Sequence, residues 1–340
     1  GLGRARSARV ALTTDPPLAG RARMAPLLLL LAATNALKNR SATLAMVTLD
    51  ETMTSLVDPL VAARARDGVV VPLFSNLGFV PFLKNLLCSM DRVRVSNWVV
   101  IALDNSTCAP IRGGFGLAYA SPACVFPYAH RPLTTQGVAS YRTVEFNRMV
   151  MQRPMWMRHL LSRGYSVLQC DLDVVWLRDP FPLFAAHPHL AAADVLVQSE
   201  GGHGYNAGFY FARPTRAADA FMEFWLEDLV SRWGDRSFEE QHSLARALHR
   251  TPPVNGTKLL YYKLNDSWVP NGKMWWSMAP AAYSKEAAYA VHCNWNKGNK
   301  KGRLMRDLLW WLDEADQRCV PQFDPLENGC RQWCVPIMYC

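Results

Sequence analysis

The sequence has no run of 18 or more consecutive apolar residues, which excludes a multi-span membrane protein. Nothing in it recurs at a fixed period, so solenoids and propellers are excluded too. Charge is scarce at 19% while half of the residues are hydrophobic, which excludes disorder as the dominant state and supplies a sizeable core. There is no dense Lys/Arg run, so the excess of 37 Lys and Arg over 28 Asp and Glu leaves no nucleic-acid footprint. The resulting net charge of +9 suits polyanions or phosphorylated small molecules. A repeated C-x-x-C spacing is also missing, which argues against a zinc ribbon.

What cysteine there is has an uneven distribution. Four of the nine residues, Cys319, Cys330, Cys334 and Cys340, crowd the end of the chain. They predict a disulfide-stapled tail over 319–340 and an oxidising compartment. Cys108 and Cys124 are spaced to close a second loop, and the odd count leaves at least one thiol free or intermolecular. Near the start, Arg21 and Arg23 precede Met24 and the apolar stretch Ala25–Ala33, the pattern of a secretory leader. Sequons stand at Asn39, Asn105, Asn255 and Asn265. Together these features predict a leader and linker over 1–45, a catalytic-size domain over 46–318, and passage through the secretory pathway. The leader would also allow a membrane association.

From Val69 the pattern alternates between strand and helix. Val69–Phe74, Asn97–Leu103, Ser166–Cys170 and Gly208–Phe211 read as buried strands. Phe79–Met90, Thr143–Arg163, Thr215–Trp233 and Arg303–Gln317 read as helices, and Ser237 with Glu240 forms a capping-box pattern. Residues 105–140 read as a long loop. This alternation predicts an α/β fold: an open, mostly parallel sheet with helices on both faces. Ligands of such sheets sit beyond the carboxyl ends of the strands, where Asp104 and the pair Asp171 and Asp173 fall.

Two carboxylates at a strand end suit a hard divalent cation that also holds phosphate oxygens. An isolated D-x-D is more often a solvated turn. Here, however, apolar residues run into it (Val167, Leu168) and away from it (Val174–Leu177), and acids between buried segments are costly unless paired. His292 ends another apolar run and has the chemistry to complete a metal site. Gly298 would let backbone approach a phosphate. Lys300 or Lys301 would neutralise its charge.

The stretch from Gly164 to Pro180, centred on Asp171-Leu172-Asp173, resembles the signature of the nucleotide-diphospho-sugar transferase domain of glycosyltransferase family 77, which includes extensin arabinosyltransferases and rhamnogalacturonan xylosyltransferases. In the same order, Tyr205–Phe211 resembles that family's N-x-G-F-Y strand. Trp268–Gly272 resembles its F-P-x-G segment with Trp for Phe. His292, Gly298 and Lys301 resemble an H…G-x-x-K element of retaining transferases. The resemblance implies a GT-A-type fold, a UDP-sugar donor, a manganese (or magnesium) ion, and a glycoprotein or polysaccharide acceptor of cell-wall type in the Golgi lumen. It implies Asp171, Asp173 and His292 as metal ligands. Asp104, Arg153, Asp171, Asn206, Gly208, Gly298 and Lys301 would hold the donor. Glu200, Glu240 and Gln241 are the catalytic candidates, although Glu240 departs from the Asp-Gln of relatives. Trp268, Trp275, Trp276 and Trp295 are candidates for stacking on sugars, with the pair 275–276 favoured for the acceptor. Arabinose, xylose and galactose all remain open as the sugar moved. Two alternatives stand beside this reading. The D-x-D-x-V order also fits a haloacid-dehalogenase-like phosphohydrolase with Asp171 as nucleophile, and a non-catalytic glycan-binding module would carry the same donor features.

Overall fold

The computed structural model describes residues 48–130, 133, 137, 143–202, 204–233, 239–277, 287–295, 300–306, 309–313 and 315–320. All of these lie in one compact unit beginning at Val47. The apolar stretch Ala25–Ala33, Asn39, and Cys330, Cys334 and Cys340 fall outside the described residues. Among the described residues no helix is long and apolar enough to cross a membrane.

The first element is one that the strand–helix pattern from Val69 onward does not include. Helix α1 (Glu51–Arg64) is capped by Asp50, whose carboxylate accepts from Met53 N at 2.9 Å, and it buries Met53, Val57 and Val61 along one stripe. Strand β1 (Val69–Ser75) follows, then α2 (Val80–Arg92), β2 (Trp98–Ala102), a short α3 (Ala109–Arg112) and β3 (Cys124–Val125). The expected long loop over 105–140 therefore holds a helical turn and an edge strand. Helix α4 (Val144–Ser162) starts at the Thr143 cap and ends before Gly164, whose φ of +88° provides the left-handed stop.

Strand β4 (Ser166–Cys170) is followed after a turn by β5 (Val174–Trp176). Two short helices, α5 (Phe181–Ala186) and α6 (Pro188–Ala192), lead to β6 (Val195–Ser199) and β7 (Tyr205–Ala212). Then come α7 (Arg216–Ser231), capped by Thr215, α8 (Glu240–Arg250), β8 (Tyr261–Lys263), α9 (Gly272–Ser277), β9 (Ala290–His292) and α10 (Lys300–Arg306). The last helix is shorter and earlier than the 303–317 expected. Residues near 312 instead form an antiparallel bridge, Leu312 with Cys319. The N-cap of α8 is Glu239, so Glu240 opens the helix rather than closing a capping box; Ser237 is outside the described residues.

The main sheet has the order β3-β2-β1-β4-β7-β6-β8, and β7 is the strand that runs against the others. The mostly parallel α/β sheet expected from sequence is thus present. Its strands are apolar on both sides because both faces are covered. In β2, Trp98, Val100 and Ala102 join one core, while Val99 and Ile101 join the other. Helix α2 packs in the first core; α1, α4, α7 and α8 pack in the second. Pro72 is tolerated inside β1 because pairing with β4 ends at Val70, so its missing N–H costs no ladder bond on that side.

Cys108 pairs with Cys124, as their spacing suggested. Cys319 does not staple the tail to itself; it pairs with Cys88 of α2, 231 residues away in sequence. The remaining described cysteines, Cys170 and Cys293, lie outside both disulfides and are buried.

Candidate metal and nucleotide-sugar site

A turn at the end of β4 supplies both acids: Val174 N donates to Asp171 O at 3.1 Å, so Asp171 and Asp173 leave the strand's alternation and share one edge. Strand β5 then pairs antiparallel with β9, Val174 opposite His292, and Cys293 N donates to Asp173 O at 2.8 Å. That register carries His292 from far along the chain to the acid pair. Its Nε2 lies 3.2 Å from Asp173 Oδ1 and 3.7 Å from Asp171 Oδ2. One ligand atom from each of the three residues lies within 4.8 Å of the others.

The imidazole is fixed by Gln198, a residue that sequence reading missed. Gln198 Nε2 donates to Val269 O at 2.9 Å, which leaves its Oε1 to accept from His292 Nδ1 at 2.8 Å. The outward nitrogen, Nε2, therefore faces two carboxylates, and a proton or a cation must lie between them. The clue in sequence was a glutamine directly after the apolar run Val195–Val197. Two carboxylates and an imidazole are a donor set that fits manganese or magnesium. Gly208 makes room for it: a Cβ there would sit 2.6 Å from His292 Cε1 and 2.7 Å from Asp171 Cγ.

Two cations already touch the acids. Arg153, on α4, bridges Asp171 and Glu240. Burial opposes its charge, but Asp171 and Glu240 outweigh that and hold the guanidinium above its ordinary value. Burial pushes the Glu240 carboxyl up to about 7, against the pull of Arg153 and with the like charge of Asp171. Lys300 pairs with Asp173. For Asp173 burial works upward, yet Lys300 and His292 hold it well below the usual carboxylate range. Burial works downward on His292, and the charges of Asp173 and Asp171 raise it overall.

The other candidates are distributed as follows. Lys300, not Lys301, reaches the acids; Lys301 Nζ lies over the Trp310 ring, 5.1 Å from its centroid. Asn206 Oδ1 accepts from Gly208 N at 2.6 Å, beside the acids. Asp104 is the strand-end cap: its carboxylate accepts from Leu77 N, Ser106 N, Thr107 N and Thr107 Oγ1 at 2.7–2.9 Å. Gln241 is half-buried and takes no part in the Arg153 bridge. Glu200 accepts from four side chains, described below, and does not join the acid pair. Trp268 stacks on His187, and Trp275 and Trp276 are half-buried against the core. Gly298 lies outside the described residues.

The sequence matches the nucleotide-diphospho-sugar transferase family over residues 93–305. It is 28% identical over 316 residues to beta-arabinofuranosyltransferase RAY1 of Arabidopsis thaliana, covering 83% of this chain and 56% of that protein. It is 25% identical over 279 residues to arabinosyltransferase XEG113 of the same plant, covering 74% of this chain and 41% of that one. The UDP-D-xylose:L-fucose alpha-1,3-D-xylosyltransferase 3 of that plant is 27% identical over 270 residues, covering 73% and 67%. The chain thus spans about half the length of the two arabinosyltransferases. With an acid pair at the end of β4 and a mostly parallel sheet behind it, the chain belongs to the nucleotide-diphospho-sugar transferase family.

Proposed function

We propose that the protein is a metal-dependent, retaining glycosyltransferase. It would move arabinose, xylose or galactose from a UDP-sugar to a hydroxyl of a cell-wall-type glycoprotein or polysaccharide in the Golgi lumen. The observation that carries this reading is the convergence of Asp171, Asp173 and His292 at one sheet edge, with Gly208 leaving space beside them. The family membership and the sugars named for the relatives support it.

Asp171, Asp173 and His292 would hold a manganese or magnesium ion, which when bound acts as a Lewis acid on the diphosphate oxygens. The reaction breaks the bond between the anomeric carbon and the diphosphate oxygen, which keeps the electron pair. The acceptor hydroxyl oxygen forms its bond from the departing face, and its proton passes to the departing diphosphate oxygen. This chain's contribution is electrostatic and positional. Lys300 supplies a fixed positive charge at the same edge. Arg153 holds the Asp171 carboxylate in place from the buried side. Asn206 fixes the backbone of Gly208, which keeps the space over the acids open. Neither Glu200 nor Glu240 is assigned as a nucleophile: the first is saturated with donors, and the second is buried against Arg153. The phosphohydrolase and glycan-binding alternatives gain no observation of their own.

A thermal-shift panel of UDP-sugars with and without manganese tests the reading. The true donor should raise the melting temperature only with the metal present, because ligand binding to the folded state adds to its stability. Equal shifts without metal, or none for any UDP-sugar, would refute it.

A further inference from the structure

Glu200 follows β6, and its carboxylate gathers side chains from three separate segments. Oε1 accepts from Asn206 Nδ2 at 2.5 Å and Asn294 Nδ2 at 3.0 Å. Oε2 accepts from Asn271 Nδ2 and Trp295 Nε1, both at 2.9 Å. A carboxylate offers about four acceptor directions, so all of them are taken and none is left for a substrate proton. Asn206 continues the chain of bonds to Gly208 N, and Gly208 abuts Asp171 and His292. The far end of the chain is Trp295.

Trp295 is unusual twice over. It is 62% exposed, the highest value among the exposed large hydrophobic residues described. Its φ of +62° is in the left-handed region, which a bulky aromatic residue adopts only when the surroundings impose it. A ring placed for core packing would be buried. This one is tethered by its N–H to a rigid carboxylate and turns its apolar surface to water. An indole face suits the apolar C–H face of a sugar ring, and the tether leaves that face open while fixing the ring plane.

We infer that Trp295 is a stacking platform for the sugar ring of the glycan acceptor, and that Glu200 is the positioning residue that holds it. The inference rests on the transferase reading above. The platform is on the acceptor side because two bonded side chains, Asn206 and Glu200, separate it from the acids that would face the donor diphosphate. It adds an acceptor contact to the pair Trp275 and Trp276 expected from sequence.

The test compares Trp295→Ala, Trp295→Phe and Glu200→Gln with the wild type, using methyl glycosides of arabinose, fucose and galactose as acceptors. Trp295→Ala should raise the acceptor KM by about tenfold while the donor KM moves by about twofold or less. Trp295→Phe keeps a ring face and should recover most of the acceptor affinity. Glu200→Gln should raise the acceptor KM like Trp295→Ala and shift the tryptophan emission, because the indole loses its tether. An unchanged acceptor KM in Trp295→Ala, or equal rises in both KM values, would overturn the inference. Should the wild type turn over no UDP-sugar, the transferase reading fails, and the platform is then judged by fluorescence. A methyl-glycoside titration that quenches wild type but not Trp295→Ala upholds it; identical curves overturn it.

Discussion

Gly208 leaves no room for a side chain between Asp171 and His292. Adding one methyl group must displace a carboxylate or the imidazole. Gly208→Ala should therefore cost about 1–3 kcal/mol of stability from overpacking and weaken manganese binding more than it changes the secondary structure. Calorimetric metal titration beside circular dichroism checks this; wild-type metal affinity would contradict it. Much of this site was legible residue by residue. An acid pair between apolar segments and a histidine ending an apolar run declare themselves by the cost of burying them. What was not legible is which side chain reaches which. Lys300 and Lys301 are adjacent and chemically identical, and only the start of α10 decides that the first faces Asp173 and the second Trp310. Glu240 likewise reads as a helix-start residue, because its bond to Arg153 depends on how α8 and α4 sit on the sheet.

Helix against helix, the clearest link is Asp228 on α7. Its carboxylate accepts from Ser243 and from Arg246 Nε and Nη2 on α8, and from Arg232 Nε at 3.3 Å. Burial raises the carboxyl, but the bonds from Arg246 and Ser243 outweigh it and hold Asp228 below its ordinary value of 3.8. A carboxylate depressed in the folded state adds stability above its unfolded pKa, and that stability is lost as pH falls through the folded value. Asp228→Asn should cost about 1.5–3 kcal/mol at neutral pH, and the deficit should shrink as pH drops below about 4. Urea denaturation at pH 7 and pH 3 measures it; a deficit that does not change with pH would refute the assignment. The helices themselves followed from sequence wherever a cap and an apolar stripe coincided, as at Thr143 and Thr215. Helix α1 has both, with Asp50 as cap and Met53, Val57 and Val61 as stripe, but it lies before the first strand of the alternating pattern. The helix expected over 303–317 overlaps α10 only as far as Arg306 for a tertiary reason: the bridge from Leu312 to Cys319 claims backbone further on.

At the level of the whole chain, two long-range links join segments far apart in sequence. The β5–β9 pairing brings His292 to Asp173, and the Cys88–Cys319 disulfide ties the far end of the described chain to α2. Neither follows from sequence periodicity, since pairing of distant segments is decided by packing and leaves no local mark. The three exposed sequons described, Asn105, Asn255 and Asn265, and the two disulfides agree with a lumenal setting. The central claim is that the folded chain builds a cation site from residues 171, 173 and 292. Calorimetric titration of manganese into wild type and Asp173→Ala, each shown folded by circular dichroism, tests it most directly. One site in the wild type and its loss in the variant is the outcome predicted; equal stoichiometry and affinity in both would contradict it.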